Sequence, residues 1–163
     1  MESLKEPRKP WRLFLPILWM MTIFLLSGQA FSFLHTSRLI IPILHFLWPN
    51  LSSSALIQIH AILRKVGHFL EYLLLSYSWY WSLLPRWSTE RKASLIALFL
   101  SLAYALFDEF HQSLLTSRTG SLRDVLLDGT GAFFMQAIIW LRLHRRKTQA
   151  GATIVKETAW RGP

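Results

Sequence analysis

Four long apolar blocks constrain the fold of this chain more than any other feature of its sequence. They lie at about residues 11–29, 67–84, 93–110 and 122–141, and hydrophobic residues make up 52% of the 163-residue chain. Each block approaches the ~20 residues that an α-helix needs to cross ~30 Å of hydrocarbon. Because the apolar residues form blocks rather than stripes, the sequence predicts an all-α, polytopic membrane helical bundle with four transmembrane helices, in preference to a soluble bundle with buried helices.

The segment between the first two blocks, residues 31–64, is apolar but interrupted. Pro42 and Pro49 break it, and ionisable side chains are interspersed. This pattern predicts an interfacial or re-entrant segment, with Trp48 at the level of the lipid headgroups. The serines at 52–54 are then placed to cap a short amphipathic helix that runs into the second span.

The two ends of the chain are polar. Residues 1–10 predict a cytoplasmic tail and residues 143–163 a basic, disordered tail, which leaves 11–142 as the membrane domain. The first block could instead be a cleaved signal peptide. A retained helix is the preferred interpretation, because the apolar part is long and a good small-x-small cleavage site is missing.

The positive charge of the chain points to a membrane. The formal net charge is +9, and the basic residues flank the apolar blocks, which suits anionic lipid headgroups and disfavours nucleic acid as a partner. More basic residues lie at the termini and in the 85–92 loop than on the opposite side. We therefore expect a multi-pass protein of the cell membrane with both termini in the cytoplasm. The absence of cysteine excludes disulfides, thiolate metal sites and a cysteine nucleophile.

Polar groups enter the apolar blocks at three places, residues 65–72, 107–112 and 118–128. In the predicted topology these are the start of the second span, the end of the third and the start of the fourth, so all three lie on the outer side. Ionisable groups are costly to bury there, and we expect them to form one outward-facing polar pocket. The predicted binding residues are Lys65, His68, Glu71, Tyr72, Asp108, Glu109, His111, Gln112, Arg118, Asp124 and Asp128.

Helical spacing assigns these residues to faces. Asp124 and Asp128 are four residues apart and share a face with Gly131, which predicts a close backbone approach to a neighbouring helix. Glu109 points away from the face of Asp108, which predicts a charge at the rim of the pocket.

Carboxylates one turn inside a span should each find a cation or a donor, as at Glu71 and Asp128. The available cations are Lys65, Arg118 and Arg123. The same residues also fit a purely structural role, as polar contacts between helices or, for Asp124, as a negative charge at a helix N-terminus.

The polar residues resemble a known pattern. Lys65-x-x-His68-x-x-x-Tyr72, then Asp108-Glu109-x-His111-Gln112, then Arg118 followed by Asp124 and Gly131, are similar to the VanZ-like family of small integral membrane proteins, over about residues 10–142. The resemblance implies a multi-span helical protein of the cell envelope. It also implies a possible part in resistance to teicoplanin, a lipid-bearing glycopeptide antibiotic. Asn is common in the family where this chain has Asp128.

Two functional classes follow from the predicted pocket. In the first, the basic residues bind an anionic lipid, a lipid-linked cell-wall intermediate or a lipoglycopeptide, with no cofactor. The alternative is a membrane-embedded hydrolase acting on a lipid phosphate or ester, with catalytic candidates His111, Asp108 and Glu109. This hydrolase could use a divalent metal, for which the candidate ligands are His68, Glu71, Asp108 and His111.

Overall fold

A computed structural model describes residues 10–86, 89–115 and 121–160, and every regular element within these ranges is helical. Short 3₁₀ turns lie at Pro10–Leu13, Gln29–Phe31 and Leu84–Arg86. The α-helices are α1 (Phe14–Leu26), α2 (Phe33–Leu47), α3 (Ser53–Leu83), α4 (Glu90–Ser113) and α5 (Leu122–Trp160). The predicted all-α class is confirmed.

Local sequence sets several of the helix ends. Ser52 caps α3, since its side chain accepts a hydrogen bond from the Ala55 backbone N–H at 3.3 Å. Thr89 caps α4 in the same way through Lys92 N–H. The predicted short amphipathic helix and the second span form one continuous helix of 31 residues, α3, because no proline or glycine turn separates them.

The segment predicted to be interfacial or re-entrant contains a regular helix, α2, with Pro42 inside it. Proline removes one backbone donor without necessarily ending a helix when neighbouring turns hold it. The apolar residues of α2 are largely exposed, with Phe46 at 85%. An exposed apolar helix at this position is compatible with lipid contact.

Helices α3, α4 and α5 pack against one another, and α1 and α2 pack on α3. Helices α3 and α5 approach closely at Gly131, where a Cβ atom would overlap the carbonyl oxygen of Phe69. This is the close backbone approach expected from the sequence. It matters for the site because it holds the two helices in a fixed register.

A neutral hydrogen-bond network joins α3, α4 and α5 about two turns along α5 from Asp128. Gln136 Nε2 donates to Ser76 Oγ at 2.7 Å, and Ser94 Oγ donates to Gln136 Oε1 at 2.6 Å. Trp140 Nε1 donates to Ser94 Oγ at 2.7 Å. We call these four residues the neutral network.

Within the described ranges, two helical segments are long and apolar enough to cross a membrane: Glu90–Ser113 and Leu122–Arg146. The four spans predicted from the sequence are therefore shown only in part. Pro10–Leu26 and Phe33–Leu47 are apolar but shorter, and α3 is long but carries Ser76, Ser78 and Ser82 among its apolar residues.

Helix α5 continues to Trp160, where the sequence predicts a disordered tail from residue 143. The helix extends because Arg, Lys, Gln and Ala follow the span, all good helix formers, and no proline occurs before 163. Residues 1–9, from the predicted cytoplasmic tail, lie outside the described ranges.

Candidate functional site

Three ionisable side chains from three helices meet near one end of the bundle. His68 of α3, Asp108 of α4 and Asp128 of α5 each offer a nitrogen or oxygen atom, and these atoms lie within 4.8 Å of one another. His68 Nδ1 is 3.6 Å from Asp128 Oδ1 and 3.7 Å from Glu71 Oε2. We call His68, Asp108 and Asp128 the charged cluster.

The Asp108 side chain is held in place by two neutral donors. Its Oδ2 accepts hydrogen bonds from Ser27 Oγ at 2.9 Å and from Gln112 Nε2 at 2.8 Å. Ser27 follows the last residue of α1, so this contact ties α1 to the end of α4. The sequence did not indicate Ser27, because one serine after an apolar block carries no sign of a partner 81 residues away.

Asp128 of the charged cluster and the tyrosine Tyr72 of α3 are both fully buried. Asp128 is 1% exposed and Tyr72 0% exposed. Neither Asp128 oxygen, nor the Tyr72 hydroxyl, has a hydrogen-bond partner among the residues that the structure describes. Burying such groups without partners is costly, and the His68 ring lies close to Asp128, with Nδ1 3.6 Å from Oδ1.

Glu109 occupies a different place from the one expected. The sequence predicts a charge at the rim, but Glu109 is buried, and its Oε1 accepts a hydrogen bond from the backbone N–H of Ser121. Ser121 directly precedes α5, so Glu109 satisfies a donor at the start of that helix. This contact joins the end of α4 to the beginning of α5.

His111 lies apart from the charged cluster. Its ring stacks on Phe24 of α1, with centroids 4.4 Å apart and 28° between the planes. The structure thus groups Asp128, in place of His111, with two of the predicted metal ligands. Arg118, a predicted binding residue, lies outside the described ranges.

A cavity of about 210 Å³ opens above the cluster. It is lined by two basic side chains, Arg64 and Lys65, together with His68, Gln112 and the acid Asp124. The apolar part of its wall is Phe33, Ala61 and Leu127. Half of the predicted pocket residues on α3 and α5 therefore face one space, namely Lys65, His68 and Asp124. Glu71, Tyr72 and Asp128 do not line it, and neither does Arg123, which is exposed at the start of α5.

Arg64 is a basic residue of this cavity that the sequence did not single out. It precedes the predicted start of the second span, and it donates a hydrogen bond from its guanidinium to the Phe31 carbonyl at 3.0 Å. Burial lowers the pKa of Arg64 below its ordinary value, while the negative charges of Glu71 and Asp124 raise it. Arg64 is therefore within electrostatic reach of both acids.

An apolar groove adjoins the polar cavity. It has a volume of about 220 Å³, and Lys65 and Leu127 line both spaces. The remaining lining residues are Ile62, Val66 and Phe69, all on α3. A polar cavity and an apolar groove that share a lysine suit a molecule with a charged head and an apolar chain.

Helix α2 covers the first turns of α3 beside the cavity. His60 is buried, stacks on Phe33 with centroids 4.5 Å apart, and shares a hydrogen bond of 3.2 Å with Thr36 Oγ1. With the Arg64 contact to Phe31, these interactions place Phe33 at the wall of the cavity.

The fold and the site define an all-helical class of protein with a polar site near one end of the bundle, in which two helices are long and apolar enough to cross a membrane. A family model described as VanZ/LLP1 matches residues 12–143, which is more than half of the chain. The chain therefore belongs to the VanZ/LLP1 family, and the resemblance read from the sequence is confirmed. No curated protein and no solved structure matches the chain.

Proposed function

We propose that this protein is a four-span envelope protein whose outward-facing cavity binds the anionic headgroup of a lipid or lipid-linked molecule. The observation that carries the proposal is the polar cavity with Arg64 and Lys65, next to the apolar groove that shares Lys65. The ligand class includes anionic phospholipids, lipid-linked cell-wall intermediates and lipoglycopeptides. What they share is an anionic group on an apolar chain.

The charges in the cavity support an anionic ligand. Lys65 is exposed on α3, so its ammonium can move to meet a phosphate or carboxylate. Arg64 is partly anchored by the Phe31 carbonyl, which leaves other guanidinium donors for a ligand. Asp124, which also lines the cavity, would attract and position the basic groups and repel a second anion.

The proposed topology places both termini in the cytoplasm and the charged cluster near the outer surface. In it, α1 and α3 also cross the bilayer, beside the two helices that are long and apolar enough to do so. In this topology, the end of α1, the end of α4 and the start of α5 lie on the same side of the membrane. The contacts at Ser27, Asp108 and Ser121 support this arrangement.

The topology has a direct test, since the chain lacks cysteine. A single cysteine introduced by Ser113→Cys, at the end of α4, should react with a membrane-impermeant thiol reagent added to intact cells. If labelling occurs only after permeabilisation, the protein has the reverse orientation and the cavity faces the cytoplasm.

Lipid retention tests the binding function. The protein would be purified in detergent micelles, and phosphatidylglycerol or phosphatidylcholine would be added. The lipid that stays bound would be measured by native mass spectrometry. We expect retention of phosphatidylglycerol over phosphatidylcholine. We also expect Lys65→Gln to lose about 10- to 100-fold in affinity, because a charge-assisted hydrogen bond contributes about 1.5–3 kcal/mol.

Arg38→Gln is the matched control. It removes one positive charge from the exposed face of α2, outside the cavity lining, and should leave retention unchanged. Equal retention of both lipids, or equal losses for Lys65→Gln and Arg38→Gln, would contradict the proposal.

The groove adds a second arm to this experiment. Val66→Trp would fill the groove and should weaken phosphatidylglycerol binding, while inorganic phosphate, which has no chain, should bind the variant and the wild type equally. If inorganic phosphate competes fully with the lipid in the wild type, the site recognises phosphate alone.

Hydrolysis of a lipid phosphate or ester is the second candidate function. The observation in its favour is that His68 belongs to the charged cluster and also lines the cavity, so a bound headgroup would lie beside an imidazole and two carboxylates. Release of phosphate or fatty acid from labelled lipid would establish it. Loss of this release in Asp108→Asn with lipid retention unchanged would assign the cluster to catalysis.

A further inference from the structure

We propose that His68, Asp108 and Asp128 bind a divalent transition-metal ion. This inference goes beyond lipid binding and does not depend on it, because the cluster lies beneath the cavity and uses neither Arg64 nor Lys65. The class of ion follows from the donors. An imidazole nitrogen with two carboxylate oxygens suits Zn²⁺, Mn²⁺ or Co²⁺ better than Mg²⁺ or Ca²⁺, which prefer oxygen ligands alone.

The separations of the donor atoms fit an ion after small side-chain movements. Ligands about 2 Å from a metal lie roughly 3–4 Å from one another. His68 Nδ1 and Asp128 Oδ1 are already 3.6 Å apart, and all three donor atoms lie within 4.8 Å. Each ligand comes from a different helix, so the packing of α3, α4 and α5 brings the ligand set together.

A second observation points to a cation at this place. Asp128 is almost fully buried, and both of its oxygens are without a hydrogen-bond donor among the described residues. The Tyr72 hydroxyl, one helical turn after His68, is likewise buried and unpartnered within the same ranges. A divalent ion would neutralise the Asp128 carboxylate and give the hydroxyl oxygen a favourable electrostatic neighbour.

The surroundings resemble the outer shell of a metal site. Ligating carboxylates in proteins are usually held by further hydrogen bonds, and Asp108 Oδ2 accepts two, from Ser27 and Gln112. His68 and Gln112 also line the cavity, so an ion held by three protein ligands would keep a coordination position facing that space. This position could take water or an anionic oxygen of a headgroup.

A protonated His68 is the competing explanation for the same geometry. Its imidazolium would lie between Asp128 and Glu71, at 3.6 and 3.7 Å, and would neutralise them without a metal. The two explanations differ in what happens when metal is added, since an imidazolium repels cations and has no lone pair to donate at Nδ1.

Metal retention by the purified protein tests the proposal. The protein would carry an affinity tag without histidine, would be stripped with chelator, incubated separately with Zn²⁺, Mn²⁺ and Co²⁺, and dialysed. Metal content would be measured by elemental mass spectrometry. Binding of Co²⁺ would also be followed by its visible absorption. The absence of cysteine excludes thiolate binding as a source of signal.

The structure predicts which variants lose the ion. Wild type should retain about one ion per chain, as expected for a single three-ligand site. Asp128→Asn and His68→Gln should lose most of it, while His111→Gln should retain it, because His111 stacks on Phe24 away from the cluster. Circular dichroism and gel filtration would confirm that each variant is folded.

Two outcomes would overturn the inference. One is a wild type that retains none of the three metals, which would favour the imidazolium explanation. The other is retention by Asp128→Asn equal to that of the wild type, which would place any ion elsewhere. Because this test uses metal alone, and the lipid test uses Lys65→Gln and Arg38→Gln, failure of one proposal is distinguishable from failure of the other.

Discussion

The neutral network and the charged cluster join the same three helices and differ in how their polar atoms are satisfied. In the neutral network, Gln136 and Ser94 each act as donor and acceptor, and Trp140 donates its only polar hydrogen. In the charged cluster, both Asp128 oxygens are buried without a donor from the described residues. The first arrangement is self-contained, and the second is not.

This difference separates stability from function. A saturated network of neutral groups stabilises helix packing in an apolar medium and has no capacity left for a ligand. A buried carboxylate without donors lowers stability, and a chain retains it where a proton, cation or ligand completes the site. The contrast fits a packing role for the neutral network and agrees with the proposal that the charged cluster binds a ligand.

The largest expected effect is at Gly131, where the close approach of α3 and α5 supports both the neutral network and the charged cluster. Gly131→Ala should lower the free energy of unfolding by about 3 kcal/mol or more, because the new methyl group would overlap the Phe69 carbonyl and force α3 and α5 apart. Denaturant titration in micelles, followed by tryptophan fluorescence, measures this change.

Gly67→Ala is the control for that variant. A Cβ at Gly67 meets nothing within 4 Å, so alanine should leave stability unchanged or raise it by up to about 1 kcal/mol through helix propensity. Equal losses for the two glycines would mean that the tight α3–α5 approach is not required.

The next effect concerns the neutral network. Gln136→Leu removes the hydrogen bonds to Ser76 and Ser94 and should lower the free energy of unfolding by about 1–2 kcal/mol, within the range of interhelical hydrogen bonds in membranes. Lipid and metal retention should stay at wild-type levels. A selective loss of ligand with stability intact would show that this network also has a functional part.

The charged cluster should respond with the opposite sign. In metal-free protein, Asp128→Asn should raise the free energy of unfolding by about 1–2 kcal/mol, because a buried carboxylate without donors is replaced by a neutral group. Thermal unfolding followed by tryptophan fluorescence compares the variant with the wild type. A marked loss of stability would instead mean that Asp128 forms a favourable ion pair with His68.

The smallest effect is expected at the buried residue Tyr72, for which buried Tyr104 serves as the comparison. Tyr72→Phe should change the free energy of unfolding by less than about 0.5 kcal/mol, since its hydroxyl has no partner among the described residues. Tyr104→Phe should cost about 1 kcal/mol, because Tyr104 donates to the Met20 carbonyl at 2.6 Å. If the two variants lose equal stability, the Tyr72 hydroxyl has a structural partner.

Periodicity and capping made much of the fold predictable. The Ser52 cap, α4 and the close approach at Gly131 follow from local residue types. Helix α2 did not, because local sequence does not tell whether Pro42 ends a helix or is carried within one. The extent of α5 beyond residue 142 was not predictable either, since a charged stretch can be either a helix extension or a loose tail.

The site was predictable by region and less so by individual contact. The order of the apolar blocks predicted that Asp108, near the end of α4, and Asp128, near the start of α5, lie at the same end of the bundle. It could not predict which side chain from another helix lies opposite each of them. Glu109 illustrates this limit, because its helical position gives its direction, and only the arrival of Ser121 in that direction makes it buried. Ser27 and Arg64 were missed for the same reason, as their partners are distant in sequence.

The contact between Glu109 and Ser121 has a consequence for how the protein is made. A ribosome releases α4 before α5, so a nascent chain that ends near residue 115 carries Glu109 and Asp108 without Ser121 or Asp128. Two carboxylates near the end of α4 then lack their contacts with α5 until that helix is made. The order of synthesis thus makes α5 the helix that completes the site.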